Sequence, residues 1–540
     1  MGKIKSSIFL NQISNYQIPP RDHHMPKPGC KQPAERINSP RKSLPLLALL
    51  CALVLAVPVL SAAAQGSYGY HGATMEVTWR GTQALKLCNG LFVSNRTLDQ
   101  IYAQEMVNPR PEKTVPMPLD RVEIDYKLKA VGIGVGDSND PVPVMRAAYR
   151  EGIGCVVMGI EQTFADIDKL PKLVMAPLAG DPATIPWPEG DLVKEKPLPN
   201  YVDKAALEAA GEWTFDRVGH GGDKGQVTLS LLVVHRGDIV YERYAPGVNM
   251  HTRTRTWSTA KSISSTITGI AVDQGLLKLD EPLPFDWPPD PRKGITDPRK
   301  RILLRDVLHM SSGLYPIDTY RGGGVIGSHL SYFSGWDSAY EARNRGLIRE
   351  PGSVYIYENY DTLLGVFALR TVLGNDNTYR EFPRRKLLDR IGMRSTLPGM
   401  DRFGNYVLSS QVYTNARDLA RVGILYLNNG MWNGERILSK QWVDWVRRPA
   451  KSTSEIGNTY GGQFWLVPDK RKDLPQDAYS TSGARGQFAV IVPSYDLVIV
   501  RRGLDWRAGY KGLDQWNMLA EVLKAFPPPS RPPMKLPSTP

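Results

Sequence analysis

Histidine and cysteine are scarce in this chain, eight and four among 540 residues. The histidines form no HxH or HExxH pattern, and only His23 and His24 are neighbours, so a clustered zinc site has no ligands to draw on. There is no GxSxG, and no histidine follows His329, which excludes a Ser-His-Asp hydrolase built on a nucleophile elbow. Cys30, Cys51, Cys88 and Cys155 make no CxxC, which excludes a zinc knuckle and a thioredoxin-like centre. Gly132, Gly134 and Gly136 lack the third glycine of a dinucleotide loop and read as a turn. Long basic runs are missing too. The net charge is +13, but the first 43 residues hold eight Lys/Arg against Asp22 and Glu35. Beyond the leader the basic residues are scattered, in singles and short groups such as Arg447-Arg448 and Arg501-Arg502, a solvated surface with no nucleic-acid footprint. No metal and no organic cofactor is implied.

What is present divides the chain into four stretches. Residues 1–64 are a basic leader followed by the uncharged run 44–64, which begins after Arg41-Lys42 and ends in Ala62-Ala63-Ala64. That pattern is a secretory signal peptide or, uncleaved, a membrane anchor. It places the protein outside the cytoplasm, periplasmic or secreted, with anchoring to the inner membrane as the alternative. Residues 65–200 form an N-terminal module. Within it 122–137 reads as a strand and glycine turn, 143–159 as a helix then a strand, and 177–200 as a Pro/Gly-rich linker. In an exported protein Cys88 and Cys155 are a candidate disulfide; two buried thiols are the alternative. Residues 201–526 open on the hairpin 228–245, turning at Arg236-Gly237-Asp238, and close on the hairpin 486–503, turning at Pro493-Ser494-Tyr495-Asp496. Helical patterns lie between them, which predicts an α+β domain, an antiparallel sheet flanked by helices. Residues 527–540 are proline-rich and read as an extended, disordered tail.

The chemistry concentrates in three places. In 255–283, Ile263, Ile267 and Ile270 recur at helical spacing, so a buried helix starts near Ser258 and ends at Gly275. Ser258 and Lys261 then share one face. A serine hydroxyl attacks only when something takes its proton, and a desolvated lysine can take it. SxxK alone is a chance pattern: Ser39 and Lys42 also match, in the leader. The alternative for Ser258 is a helix-capping serine with a snorkelling lysine. The second place is Tyr357-Glu358-Asn359, where a phenol beside a cationic lysine can serve as general base and acid and an amide can hold the lysine or a carbonyl. The third is 480–488, where Gly483 and Gly486 permit close backbone approach. There the N–H of Gln487 is expected to complete an oxyanion hole with the N–H of Ser258. His309 reads as a structural histidine at a helix end.

In this order the three elements resemble the serine β-lactamase and penicillin-binding-protein superfamily, in its class C-like branch with 6-aminohexanoate-dimer hydrolases. The resemblance covers about 205–526 and includes 303–314, 415–443 and 460–466. It implies a β-lactamase/transpeptidase-like fold with an inserted helical region, beside the smaller N-terminal α/β module. It also implies an acyl-enzyme on Ser258, with Lys261 and Tyr357 moving the proton and Asn359, Gly486 and Gln487 binding substrate. The family's cationic third motif is matched here to Ala484-Arg485-Gly486, so its first-position charge is lost and Arg485 is the neighbour that can replace it. This favours a small-molecule ester or amide as substrate. A β-lactamase or D-Ala-D-Ala carboxypeptidase is the alternative, and a non-catalytic ligand-binding relative a further one.

Overall fold

The structure, a computed structural model, describes residues 70–106, 115–289, 296–317, 327–505, 512–529 and 532–539. The leader, the 44–64 run, Cys30, Cys51 and the Ser39–Lys42 match lie outside the described residues. Thr74–Pro540 clusters as one compact unit.

Its N-terminal part holds most of α1 (Tyr70–Phe92) and continues with β1 (Val122–Asp125), β2 (Ala130–Ile133), β3 (Met145–Arg150) and β4 (Gly154–Val157). The four strands form an antiparallel meander in sequence order. The helix expected from residue 143 is therefore a strand. Met145, Ala147, Ala148 and Arg150 are all buried, because β3 lies between β2 and β4. The Ala147-Ala148 pair hides the two-residue alternation that would reveal a strand. Gly134 and Gly136 have φ of +92° and +83°, as a turn requires. A disulfide joins Cys88 on α1 to Cys155 on β4. The 177–200 stretch does not hang free. Arg421 donates to the carbonyls of Pro188 and Gly190, both at 2.6 Å, and Arg417 donates to that of Asp191 at 2.7 Å.

The larger part is built on a six-stranded antiparallel sheet. Its strands are β5 (Thr228–His235), β6 (Asp238–Tyr244), β7 (Trp465–Leu466), β8 (Tyr479–Gly483), β9 (Gln487–Val492) and β10 (Leu497–Gly503), in the spatial order β7-β8-β9-β10-β5-β6. Both expected hairpins form. Arg236 and Gly237 have φ of +51° and +86°, the paired left-handed geometry of a tight hairpin turn. Every residue of β5, β9 and β10 is buried. On one face Leu231, Val233, Val490 and Ile499 pack with α2 (Lys204–Phe215) and with residues of a C-terminal helix at 515–523. On the other, Leu232, Val234, Ile491 and Val500 lie in the apolar cluster under the helix Ala416–Leu427, while α3 (Thr259–Asp273) packs against β8. Ala84, Leu85 and Val156 of the N-terminal part belong to that same apolar cluster, so the two parts share a core.

Further elements that concern the site are α4 (Gly327–Phe333), α5 (Asn359–Leu373) and α6 (Ala416–Leu427). The tail is docked, not disordered. Lys535 donates to Asp469 at 2.8 Å and to the Val467 carbonyl, and the Thr539 N–H donates to the Pro449 carbonyl at 2.9 Å.

Candidate active site

Helix α3 delivers Ser258 as its N-cap residue, with φ −65° and ψ −11°. The Ser258 side chain makes no capping hydrogen bond. Its Oγ instead accepts a 3.1 Å bond from Lys261 Nζ, one turn along the same helix. Lys261 does not snorkel: the residue is 1% exposed. Its Nζ also donates to Asn359 Oδ1 at 2.5 Å and to the Ser409 carbonyl at 2.8 Å. The residue before Ser258, Trp257, has φ +50°. A bulky residue in the left-handed region costs about 1–2 kcal/mol and persists only where its surroundings enforce it. Here Arg255 stacks over the Trp257 ring at 3.8 Å and is anchored by Ser410, to whose carbonyl and Oγ it donates at 3.2 and 2.6 Å.

The second wall is the start of α5. The ring of Tyr357 lies 5.1 Å from Lys261 Nζ and packs against Trp465 at 5.6 Å and Tyr460 at 6.0 Å. Burial holds the phenols of Tyr355 and Tyr460 well above their usual range, so these neighbours stay neutral. Asn359 Nδ2 donates to Ser328 Oγ of α4 at 3.1 Å, which fixes the amide with its oxygen toward Lys261. Two residues on, Asp361 accepts from Ser312 Oγ and from Arg345, each at 2.9 Å. The Ser312 bond ties the first turn of α5 to the 303–314 segment. Ser258, Tyr357 and Asn359 are half-buried, so the cluster opens to a substrate while Lys261 stays dry.

The third wall differs from the expectation. Gly483, not Gly486, meets the nucleophile turn: a Cβ on Gly483 would stand 2.1 Å from the Thr256 carbonyl oxygen and 3.0 Å from the Thr259 nitrogen. Strand β8 can lie there only with glycine at that position. Thr481 on the same strand pairs with Thr259 through their hydroxyls at 3.2 Å. Gly486 instead faces Arg501 and Asp505. The Gln487 side chain donates to the Gly503 carbonyl and accepts from Arg502 Nε at 2.8 Å, and its backbone lies opposite Gly483 in the ladder. Arg485 donates to the carbonyls of Asp505 and Leu504 at 3.0 and 3.2 Å and to Glu105 at 3.4 Å. Its charge is spent on Glu105. The triplet beside Ser258 is thus Thr481-Ser482-Gly483, three residues before the one matched by sequence. Ser328 belongs to no motif, and the Ser409 carbonyl is a backbone acceptor with no residue signature, so neither is legible in the sequence. The glycine of 480–488 that follows a β-run was the available clue to Gly483.

His309 caps the end of a short helix, stacks on Trp445 at 4.6 Å and is 7% exposed. Burial lowers its pKa to about 3. It takes no part in the cluster around Lys261.

Comparison with known proteins places the chain in context. A family model described as beta-lactamase matches residues 214–501. The 6-aminohexanoate-dimer hydrolase of Paenarthrobacter ureafaciens is 24% identical over 294 residues, which is 51% of this chain and 72% of that protein. Among solved structures, a family VIII carboxylesterase aligns over 59% of this chain and 97% of its own, with 16% identity and a TM-score of 0.47. A D-stereospecific amidohydrolase from Streptomyces sp. aligns over 60% and 98%, with 17% identity and a TM-score of 0.45.

Proposed function

The chain belongs to the beta-lactamase family, and from that premise we propose that it is a serine hydrolase cleaving a small ester or amide through an acyl-enzyme on Ser258. The observation that carries this reading is the pair of bonds made by Lys261, 3.1 Å to Ser258 Oγ and 2.5 Å to Asn359 Oδ1. A serine engaged by a buried lysine, and not by the helix end it sits on, is arranged for proton transfer and not for capping.

In the proposed reaction Lys261 acts as the neutral amine, its two N–H groups held by Asn359 and Ser409 and its lone pair toward Ser258, and accepts the Ser258 proton as Oγ bonds to the substrate carbonyl carbon. The negative charge passing to the carbonyl oxygen falls at the N-terminus of α3, where the helix dipole favours it. Tyr357, over whose ring Lys261 sits, relays the proton to the leaving oxygen or nitrogen as that bond breaks. Water then attacks the acyl carbon, the acid departs, and Ser258 regains its proton. The commitment of Arg485 to Glu105 leaves that guanidinium paired, which favours esters and simple amides over substrates recognised through a free carboxylate. The similarity to a 6-aminohexanoate-dimer hydrolase fits an amide. Turnover of p-nitrophenyl butyrate without turnover of nitrocefin supports the reading; the reverse pattern overturns it in favour of a β-lactamase. We place the protein outside the cytoplasm on the strength of residues 44–64, and cell fractionation tests that.

A further inference from the structure

The N-terminal module reaches the hairpin that walls the active site. Arg485 is in the middle of the β8–β9 turn, with φ +64°. Its guanidinium spans two parts of the molecule. On one side it donates to the Leu504 and Asp505 carbonyls, at 3.2 and 3.0 Å. On the other it donates to the Gln104 carbonyl and to Glu105 Oε2, the latter at 3.4 Å. Glu105 ends a π-helical turn, Ile101–Glu105.

Glu105 is itself held firmly. Arg96 donates to its Oε1 at 2.9 Å, and Lys86 Nζ donates to its backbone carbonyl at 2.8 Å. Lys86 lies on α1, two residues from Cys88 and its disulfide to β4. Asn89 adds a second tie, its Oδ1 accepting from the Cys155 N–H at 3.1 Å. The carboxylate is therefore presented from a rigid support. Across the turn, Gly483 lies against Thr256 and Thr259 with no space for a Cβ. The turn between Gly483 and Gln487 is only three residues long, so a shift of Arg485 passes directly to Gly483.

We propose that Glu105 is a positioning residue for the active site: by pairing with Arg485 it fixes the β8–β9 turn and so seats Gly483 on the Ser258 turn. The N-terminal module is then a working part of the site and not an appended domain. The inference rests on the acyl-enzyme reading for its rate measurement, but not for its exchange measurement.

The test uses the full, oxidised chain. Glu105→Gln keeps size and an acceptor and removes the charge. Fluorophosphonate labelling of Glu105→Gln slows about tenfold or more, because a small misplacement of the site is costly in rate. For p-nitrophenyl butyrate kcat falls by the same factor while KM stays within about twofold, the split expected when only the transition state is affected. Amides of 483–487 exchange roughly tenfold faster while those of α3 do not change. Arg485→Gln gives the same loss, and the double variant loses no more than either single one, because the two residues act as one unit.

Wild-type labelling and wild-type exchange in Glu105→Gln overturn the proposal, as does a double variant whose losses multiply. If wild-type protein itself does not label but Glu105→Gln still exchanges faster at 483–487, the acyl-enzyme reading has failed and the positioning role stands. If Glu105→Gln does not melt cooperatively, Arg485→Gln decides, since it leaves the Arg96–Glu105 pair intact; unchanged labelling and exchange there overturn the proposal.

Discussion

Lys261 reaches across the site to Asn359, its Nζ donating at 2.5 Å to Oδ1 while Asn359 Nδ2 is held by Ser328. The acceptor next to the lysine is thus a neutral amide oxygen. A carboxylate in its place stabilises the ammonium form and leaves Lys261 unable to take the serine proton. Asn359→Asp is therefore expected to lower kcat for p-nitrophenyl butyrate by about a hundredfold, the low end of what a general base contributes. Circular dichroism should show the fold retained. An Asn359→Asp enzyme as fast as wild type contradicts the role given to Lys261.

Gly483 supplies a second expectation. A methyl group there meets the Thr256 carbonyl at 2.1 Å, so Gly483→Ala pushes β8 away from the Ser258 turn. Labelling of Ser258 by a fluorophosphonate is expected to slow by roughly a hundredfold, the scale of a misplacement of about 1 Å. Labelling at the wild-type rate sinks the assignment of β8 as the wall of the site.

Much of this was legible in the sequence, for identifiable reasons. The β5–β6 and β9–β10 hairpins carry dense β-formers broken by Arg236-Gly237 and Pro493–Asp496, and turn chemistry is local. Ser258, Lys261, Tyr357 and Asn359 carry their own motifs, and the fold brings them together. The third wall was misread by three residues because Gly483 and Gly486 look alike in sequence, and only packing tells which one meets Thr256. The docked tail rests on Lys535, whose partner Asp469 is 66 positions away, and on the Thr539 backbone, which bonds Pro449. The β3 strand is hidden by Ala147-Ala148. The misses at the third wall and the tail lie in long-range contacts that leave no periodicity in the chain.

His309 sets an acid limit on stability. Burial keeps it neutral in the folded protein, with a pKa lowered to about 3 from the ordinary 6.5. The unfolded chain therefore binds a proton below pH 6.5 that the folded one refuses, and stability falls as pH drops from 6.5 toward 3. Between pH 7 and pH 5 this one group costs about 2 kcal/mol. His309→Phe keeps the stacking on Trp445 and removes the titration, so urea unfolding of that variant should lose about 2 kcal/mol less over the same interval. Parallel pH profiles for the two proteins contradict the account.

The disulfide between Cys88 and Cys155 closes a loop of 67 residues. Constraining the unfolded chain over that length stabilises the fold by about 4 kcal/mol on the chain-entropy estimate. The double variant Cys88→Ser/Cys155→Ser should lose about 2–4 kcal/mol in urea unfolding. Wild-type protein unfolded with a reductant should match it. No difference between reduced and oxidised wild-type protein speaks against the bond.

The central claim is that Ser258 forms the acyl-enzyme, and intact-protein mass spectrometry after brief exposure to a fluorophosphonate tests it most directly. The account predicts one adduct per chain, located by peptide mapping at Ser258, and no adduct on Ser258→Ala under the same conditions. Equal labelling of Ser258→Ala, or an adduct mapped to another residue, contradicts it.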